Sequence, residues 1–181
     1  MKNNRNEILA GAREAFFYAM LHGWVAGGDH KKVVRVPGSF DSKEVSYSAG
    51  LSYKRKWFLV VDRYCVSEAG KSAGTTTIWL NHDPVWFMSY GGAYLKEDIP
   101  FLKNALTRVY SEKQFFGGRG PTSLAIPAHH VNGGVLVYAN EVEKDSTFEK
   151  FRGKEAIIGP SKDGGSPEFR GHHDYWGMSL I

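Results

Sequence analysis

The chain has 181 residues, 42% of them apolar and 14% aromatic, with 21 glycines and a formal net charge of +4. This length and apolar content fit one domain with a core of useful size, and exclude a chain disordered by composition. The one cysteine, Cys65, excludes an internal disulfide framework and a cysteine-based metal centre within one chain, and points weakly to a reducing compartment.

Taken in order, residues 7–22 read as an amphipathic helix, with Ile8, Ala12, Ala15, Phe16, Ala19 and Met20 on one face and Gly23 at its end. Arg13 and Glu14 interrupt this segment before any signal-peptide length is reached, and nowhere do 18 apolar residues run together. A cytoplasmic protein with no membrane partner is therefore expected. Val33–Val36 reads as a short strand and Pro37-Gly38 as a turn; the stretch through Ser39, Asp41, Ser46 and Ser52 reads as loop, with one short strand around Val45–Ser48. Trp57–Val66 is a strand with Phe58, Val60, Asp62 and Tyr64 on one face and Leu59, Val61, Arg63 and Cys65 on the other. Thr75–Leu80 and Val85–Tyr90 are strands joined by the turn Asn81-His82-Asp83-Pro84, with Trp86, Met88 and Tyr90 sharing a face.

Asp98 is the expected cap of a second helix, with Pro100 in its first turn and Ile99, Leu102, Ala105, Leu106 and Val109 in its buried stripe. Gly117-Gly118-Arg119-Gly120-Pro121 breaks regular structure. Strands return at Val135–Glu143, Glu155–Ile158 and Phe169–Met178, with turn signals at Asp145-Ser146, Asp163-Gly164-Gly165 and Pro167.

The order helix, three strands, helix, three strands reads as a single domain over 1–181 built from two copies, about 7–95 and 98–181. Phe16, Ala19 and Met20 are echoed by Leu102, Ala105 and Leu106. Tight turns between strands imply an α+β fold: a mainly antiparallel, curved sheet or pair of sheets, with two principal helices on one side. A groove is expected where the copies meet.

In this order, TTTIW at 75–79, PVWFMSYGG at 84–92, FLKNAL at 101–106, FFGGRGP at 115–121 and FEKFRGKEAI at 148–157 resemble an uncharacterised bacterial domain-of-unknown-function family. The resemblance runs from about Phe16 to Tyr175. It implies a fold and no established chemistry, in a family often found C-terminal to an Xre-type helix-turn-helix. The family's marks are an Asp and Tyr two apart, a Gly-x-Glu and a Pro-Val-Trp; Asp62 and Tyr64, Gly153 and Glu155, and Pro84-Val85-Trp86 match them. The first half departs, since Gly74 is followed by Thr75 and Thr76 where the second has Glu155. The residues ahead of Phe16 are too few for a helix-turn-helix, so a stand-alone domain is expected.

Asp62, placed mid-strand among apolar neighbours, needs a partner or a shifted pKa if buried; Arg119 or a backbone N–H would satisfy it structurally. Tyr64, Trp79, Trp86 and Tyr90 are candidates for an aromatic cup with Asp62 at its floor, suited to a flat or cationic molecule; ordinary core packing is the plain alternative. Arg119, within its glycine turn, is a candidate anion contact or simply part of a turn. Glu155 and His173 are candidate polar contacts or an acid–base pair. His172 and His173, like His129 and His130, are strand neighbours that point to opposite faces, so no metal site is expected, and no cofactor.

The residues favour a non-enzymatic module that binds a small molecule or peptide in an aromatic-lined groove. One alternative is a small-molecule enzyme using a carboxylate and a histidine. The other rests on the basic segment 31–56, led by Lys31, Lys32, Arg35, Lys54, Arg55 and Lys56, as an electrostatic footprint for nucleic acid. A solvated surface explains those charges as well, and a nucleic-acid partner is not expected.

Overall fold

The computed structural model describes residues 2–27, 31–35, 43–128, 134–161 and 165–181. Among these, nine strands form one open, curved antiparallel sheet: β1 (Lys31–Arg35), β2 (Lys43–Tyr53), β3 (Lys56–Val66), β4 (Lys71–Leu80), β5 (Asp83–Tyr94), β6 (Ser123–Ala128), β7 (Gly134–Val142), β8 (Lys150–Gly159) and β9 (Glu168–Ser179). The spatial order is β1-β2-β3-β4-β5-β9-β8-β7-β6. Helix α1 (Lys2–His22) precedes the strands, and α2 (Ile99–Ser111), entered through a 3-10 turn at Lys96–Asp98, separates β5 from β6. The fold is α+β, as the tight turns between apolar strands require. No described helix is long and apolar enough to cross a membrane.

Four expectations need correction. The order is helix, five strands, helix, four strands. Residues 43–53, taken mostly for loop, form a full strand. Serines and Gly50 give that segment a loop-like composition, but Val45, Tyr47, Ala49, Leu51 and Tyr53 alternate towards the core, and burial of that face prevails. Strand β6 was missed because Pro127 argues against a strand; it lies at the sheet edge, where a missing N–H removes no ladder bond that matters. The fourth concerns Asp98, whose side chain makes no capping bond. It is fully buried, and Arg170 on β9 donates to both its oxygens, Nε to Oδ2 at 2.7 Å and Nη2 to Oδ1 at 3.2 Å. That fork ties β9 to the start of α2. Val36, Pro37-Gly38, Ser39, Asp41, His129-His130 and Asp163-Gly164, which several sequence readings used, lie outside the described residues.

The core lies between the two helices and one sheet face. Phe16 of α1 is its centre, with ring neighbours Trp86 at 5.3 Å, Phe17 at 5.4 Å and Tyr110 of α2 at 6.0 Å. From α2, Phe101, Leu102, Ala105, Leu106, Val109 and Tyr110 are buried. Strands β5 and β9 pair at the middle of the sheet and set Tyr90 opposite Tyr175 and Gly92 opposite His173. That pairing brings residues about 80 positions apart in the chain to one place.

Candidate functional site

Between the inner face of β2–β5, the C-terminal end of α1 and α2 lies a cavity of 290 Å³. One wall is aliphatic and includes Met20, Val60, Met88, Leu102 and Leu106. Another is aromatic: Tyr47 and Tyr64 stack with ring centroids 6.3 Å apart and planes 10° from parallel, and Trp24, Tyr90 and Tyr94 complete it. Asp62, Arg119 and His173 form the polar end.

Alternation along β3 brings Asp62 inward with Phe58 and Val60. The β3–β4 register sets Thr76 opposite it, and the Thr76 hydroxyl donates to Asp62 Oδ1 at 2.8 Å. From β5 the Tyr90 hydroxyl donates to the same oxygen at 2.9 Å. No donor among the described residues reaches Oδ2, and Asp62 lines the cavity. Burial pushes the Asp62 pKa up, an effect only partly offset by the two hydroxyls and by Arg119.

Arg119 is held from behind. Its Nε donates to Glu155 Oε1 at 3.0 Å, and its Nη2 donates to the same oxygen. The other Glu155 oxygen accepts the Tyr138 hydroxyl, which itself accepts the Gly120 N–H at 2.9 Å. Burial alone would raise the Glu155 pKa; Arg119 reverses this, with help from His173 and Tyr138, and holds the carboxylate below its ordinary value. Arg119 Nη2 also reaches His173 Nδ1 at 3.3 Å. A guanidinium only donates, so Nδ1 is the acceptor and the ring proton sits on Nε2, which donates to Ser72 Oγ at 3.0 Å. Burial and the Arg119 charge lower the His173 pKa to about 4, so the ring is neutral at pH 7. Arg119 and Glu155 cancel, His173 is uncharged, and Asp62, when ionised, is the uncompensated charge of the cluster.

Of the residues singled out in the sequence, Asp62, Tyr64, Tyr90, Arg119 and His173 come together around the cavity. Glu155 stands behind Arg119 and does not line it. Trp86 is fully buried in the core, stacked on Phe148 and Phe151 at 5.0 and 5.4 Å, with its indole N–H donating to the Phe148 carbonyl at 2.7 Å. Trp79 lies on the opposite face of the sheet with Leu59, Val61 and Arg63, because Thr76 and Ile78 take the inward positions of β4. His172 and His173 do diverge: His172 pairs with Asp174 at 3.6 Å, away from the cavity. In the basic segment, Lys56 binds Glu7 at 2.8 Å and Lys54 lies over the Tyr53 ring. The cavity opens beneath the first-half strands, and Ile99, Leu102, Leu106 and Tyr110 of α2 reach it from the second half, with Gly118, Arg119 and His173.

Sequence reasoning missed Tyr47, Tyr94, Trp24, Ser72 and Thr76. Tyr94 is legible in the sequence, since Trp86, Met88, Tyr90, Gly92 and Tyr94 continue one alternation along β5, which runs past Gly91-Gly92 to Tyr94. No curated protein and no solved structure matches the chain. A family model for a domain of unknown function, DUF5680, matches residues 62–171, a span that begins at Asp62 and contains Tyr90, Arg119 and Glu155. That span is more than half of the 181 residues, and the chain belongs to the DUF5680 family.

Proposed function

We propose that this protein is a non-enzymatic binding module that holds a small molecule in the cavity between α1, α2 and strands β2–β5. The observation that carries the reading is the carboxylate of Asp62 in the wall of an aromatic-lined cavity, with one oxygen fixed by two hydroxyls and the other reached by no described donor. Small-molecule sites have this character: a mostly apolar concavity with a few fixed polar groups. A buried ionisable group with a shifted pKa in a cleft supports a functional role further. The cytoplasmic setting and the duplicated architecture belong to the same reading.

A second reading has one observation in its favour. Ser72 Oγ, His173 and Glu155 are arranged like a nucleophile, base and orienting acid, with His173 Nδ1 3.6 Å from Glu155 Oε1. The protonation pattern runs against it. A general base needs the proton on Nδ1 and a free lone pair on Nε2. Here Arg119 claims the Nδ1 lone pair, so Nε2 donates to Ser72 and cannot take its proton. Glu155 is bound to Arg119 and Tyr138 instead of to the imidazole. The geometry favours a rigid polar wall over an acid–base pair.

Protein-observed NMR with a library of small aromatic and aliphatic fragments tests the binding reading. Binders are expected to shift the Trp24 indole and Met88 methyl signals in a saturable way. A library that leaves both signals unmoved at millimolar concentration contradicts the proposal.

A further inference from the structure

Strands β3, β4 and β5 carry the same side-chain arrangement as β7, β8 and β9. In the first set Asp62 lies opposite Thr76, and Gly74 opposite Tyr90. In the second Asn140 lies opposite Glu155, and Gly153 opposite Tyr175. Each glycine clears the path of a tyrosine. A Cβ on Gly74 would sit 2.6 Å from the Tyr90 hydroxyl oxygen, and one on Gly153 would sit 2.6 Å from Tyr175 Cζ. Each tyrosine thus crosses the middle strand to donate to the side-chain oxygen on the first: Tyr90 to Asp62 Oδ1 at 2.9 Å, Tyr175 to Asn140 Oδ1 at 2.6 Å.

The two constellations differ at the remaining terminal atom. In the second, Asn140 Nδ2 donates to the carbonyls of Phe116 and Gly120 at 3.0 and 2.8 Å. The glycine turn 117–120 thereby closes over Asn140, which is 4% exposed. In the first, the corresponding atom is Asp62 Oδ2, an acceptor that no described donor reaches, and Asp62 lines the cavity. The chain completes one copy from its own backbone. The other copy presents the opposite hydrogen-bonding polarity and calls for a donor.

We propose that the cavity takes an organic ammonium group, a primary or secondary amine on a one-ring aromatic or comparable apolar body, with its N–H donating to Asp62 Oδ2. This rests on the binding-module reading and adds the ligand class to it. A neutral donor would leave the Asp62 carboxylate without a counter-charge, because Arg119 is engaged by Glu155 and the His173 ring, its Nδ1 accepting from Arg119, is neutral. An ammonium supplies that charge, and the faces of the surrounding tyrosines and Trp24 attract cations. A carboxylate ligand would meet Asp62 with like charge. Size agrees: an apolar cavity of about 150 Å³ holds benzene, so 290 Å³ accommodates a ring with a short side chain.

Calorimetric titration of the full chain with phenethylamine, 2-phenylethanol and phenylacetate tests this. Phenethylamine is expected to bind at least about tenfold more tightly than 2-phenylethanol, the size of effect that a charge-assisted hydrogen bond and ring contacts provide together, with phenylacetate weakest. In Asp62→Asn the amine should fall to the affinity of the alcohol. The comparison of the three probes on the unaltered protein needs no variant to fold. Equal affinity for amine and alcohol, tightest binding by the acid, or an amine preference that survives in Asp62→Asn overturns the ammonium inference and leaves the binding module standing. If none of the three binds, both fall.

Discussion

Replacing Asp62 by Asn should make the protein more stable, not less. The amide oxygen can take the place of Oδ1 and keep the bonds from Thr76 and Tyr90, at 2.8 and 2.9 Å. The amide NH₂ then faces the cavity, where no described donor opposes it. The change is therefore one of charge. Burial is the largest influence on Asp62 and raises its pKa above the unfolded value of 3.8. A raised carboxylate pKa means that the folded state binds the proton more readily than the unfolded state. The ionised group thus costs stability at pH 7, and the cost disappears below the unfolded pKa. Removing the charge is expected to gain on the order of 1 kcal/mol, the usual scale for relieving one such function-related conflict. For a chain of this length that corresponds to a rise in Tm of about 2–4 °C. Thermal and urea unfolding of both proteins at pH 7 measure it, and the gain should shrink on acidification as Asp62 protonates. A variant that melts lower than the parent at pH 7, or a gain that grows towards acid, refutes the reasoning.

His173 has the opposite pH signature. Its pKa falls from 6.5 unfolded to about 4 folded, so the stability it contributes is complete above 6.5 and is lost as the pH falls towards 4, by roughly 3 kcal/mol. Urea unfolding across that window should show a shallower decline in His173→Gln; an unchanged slope would contradict the assignment. Asp98→Asn leaves the Arg170 guanidinium, which has no exposed side-chain surface, with half of its principal fork, and should cost about 3–5 kcal/mol by denaturant unfolding. Gly153→Ala should displace Tyr175 from Asn140 and destabilise by about 1–3 kcal/mol, whereas Gly165→Ala, whose nearest described neighbour is 4.0 Å away, should be neutral; equal melting of the two variants would deny the close approach. Phe16→Ala removes the ring at the centre of the core and should cost about 3–5 kcal/mol in the same assay.

The fold class was legible because turn chemistry and alternation agree along β3, β4 and β5, where Phe58, Val60 and Ile78 alternate with outward-facing residues. Strand β2 was not, since its serines and Gly50 mask an alternation that only burial against α1 makes decisive. Asp62 stood out because a carboxylate in an apolar alternation must be paired or functional. Its partners did not, since Thr76 and Tyr90 are placed by inter-strand register, which sequence spacing within one strand does not contain. The two tryptophans show the same limit. Trp79 and Trp86 look equivalent as aromatic strand residues, yet one faces outward and the other fills the core, and only the register between β4 and β5 separates them. Glu155 read as a candidate base; the bond from Arg119, 36 residues away, makes it the anchor of the polar wall.

The most direct test is a crystal structure of the protein soaked with 4-bromophenethylamine, read by bromine anomalous scattering. The expected result is a bromine peak against the aliphatic wall of Leu102 and Leu106, with the amine nitrogen within hydrogen-bond distance of Asp62 Oδ2. Bromine found only on the outer surface, or an amine directed away from Asp62, would contradict the placement of the ligand site.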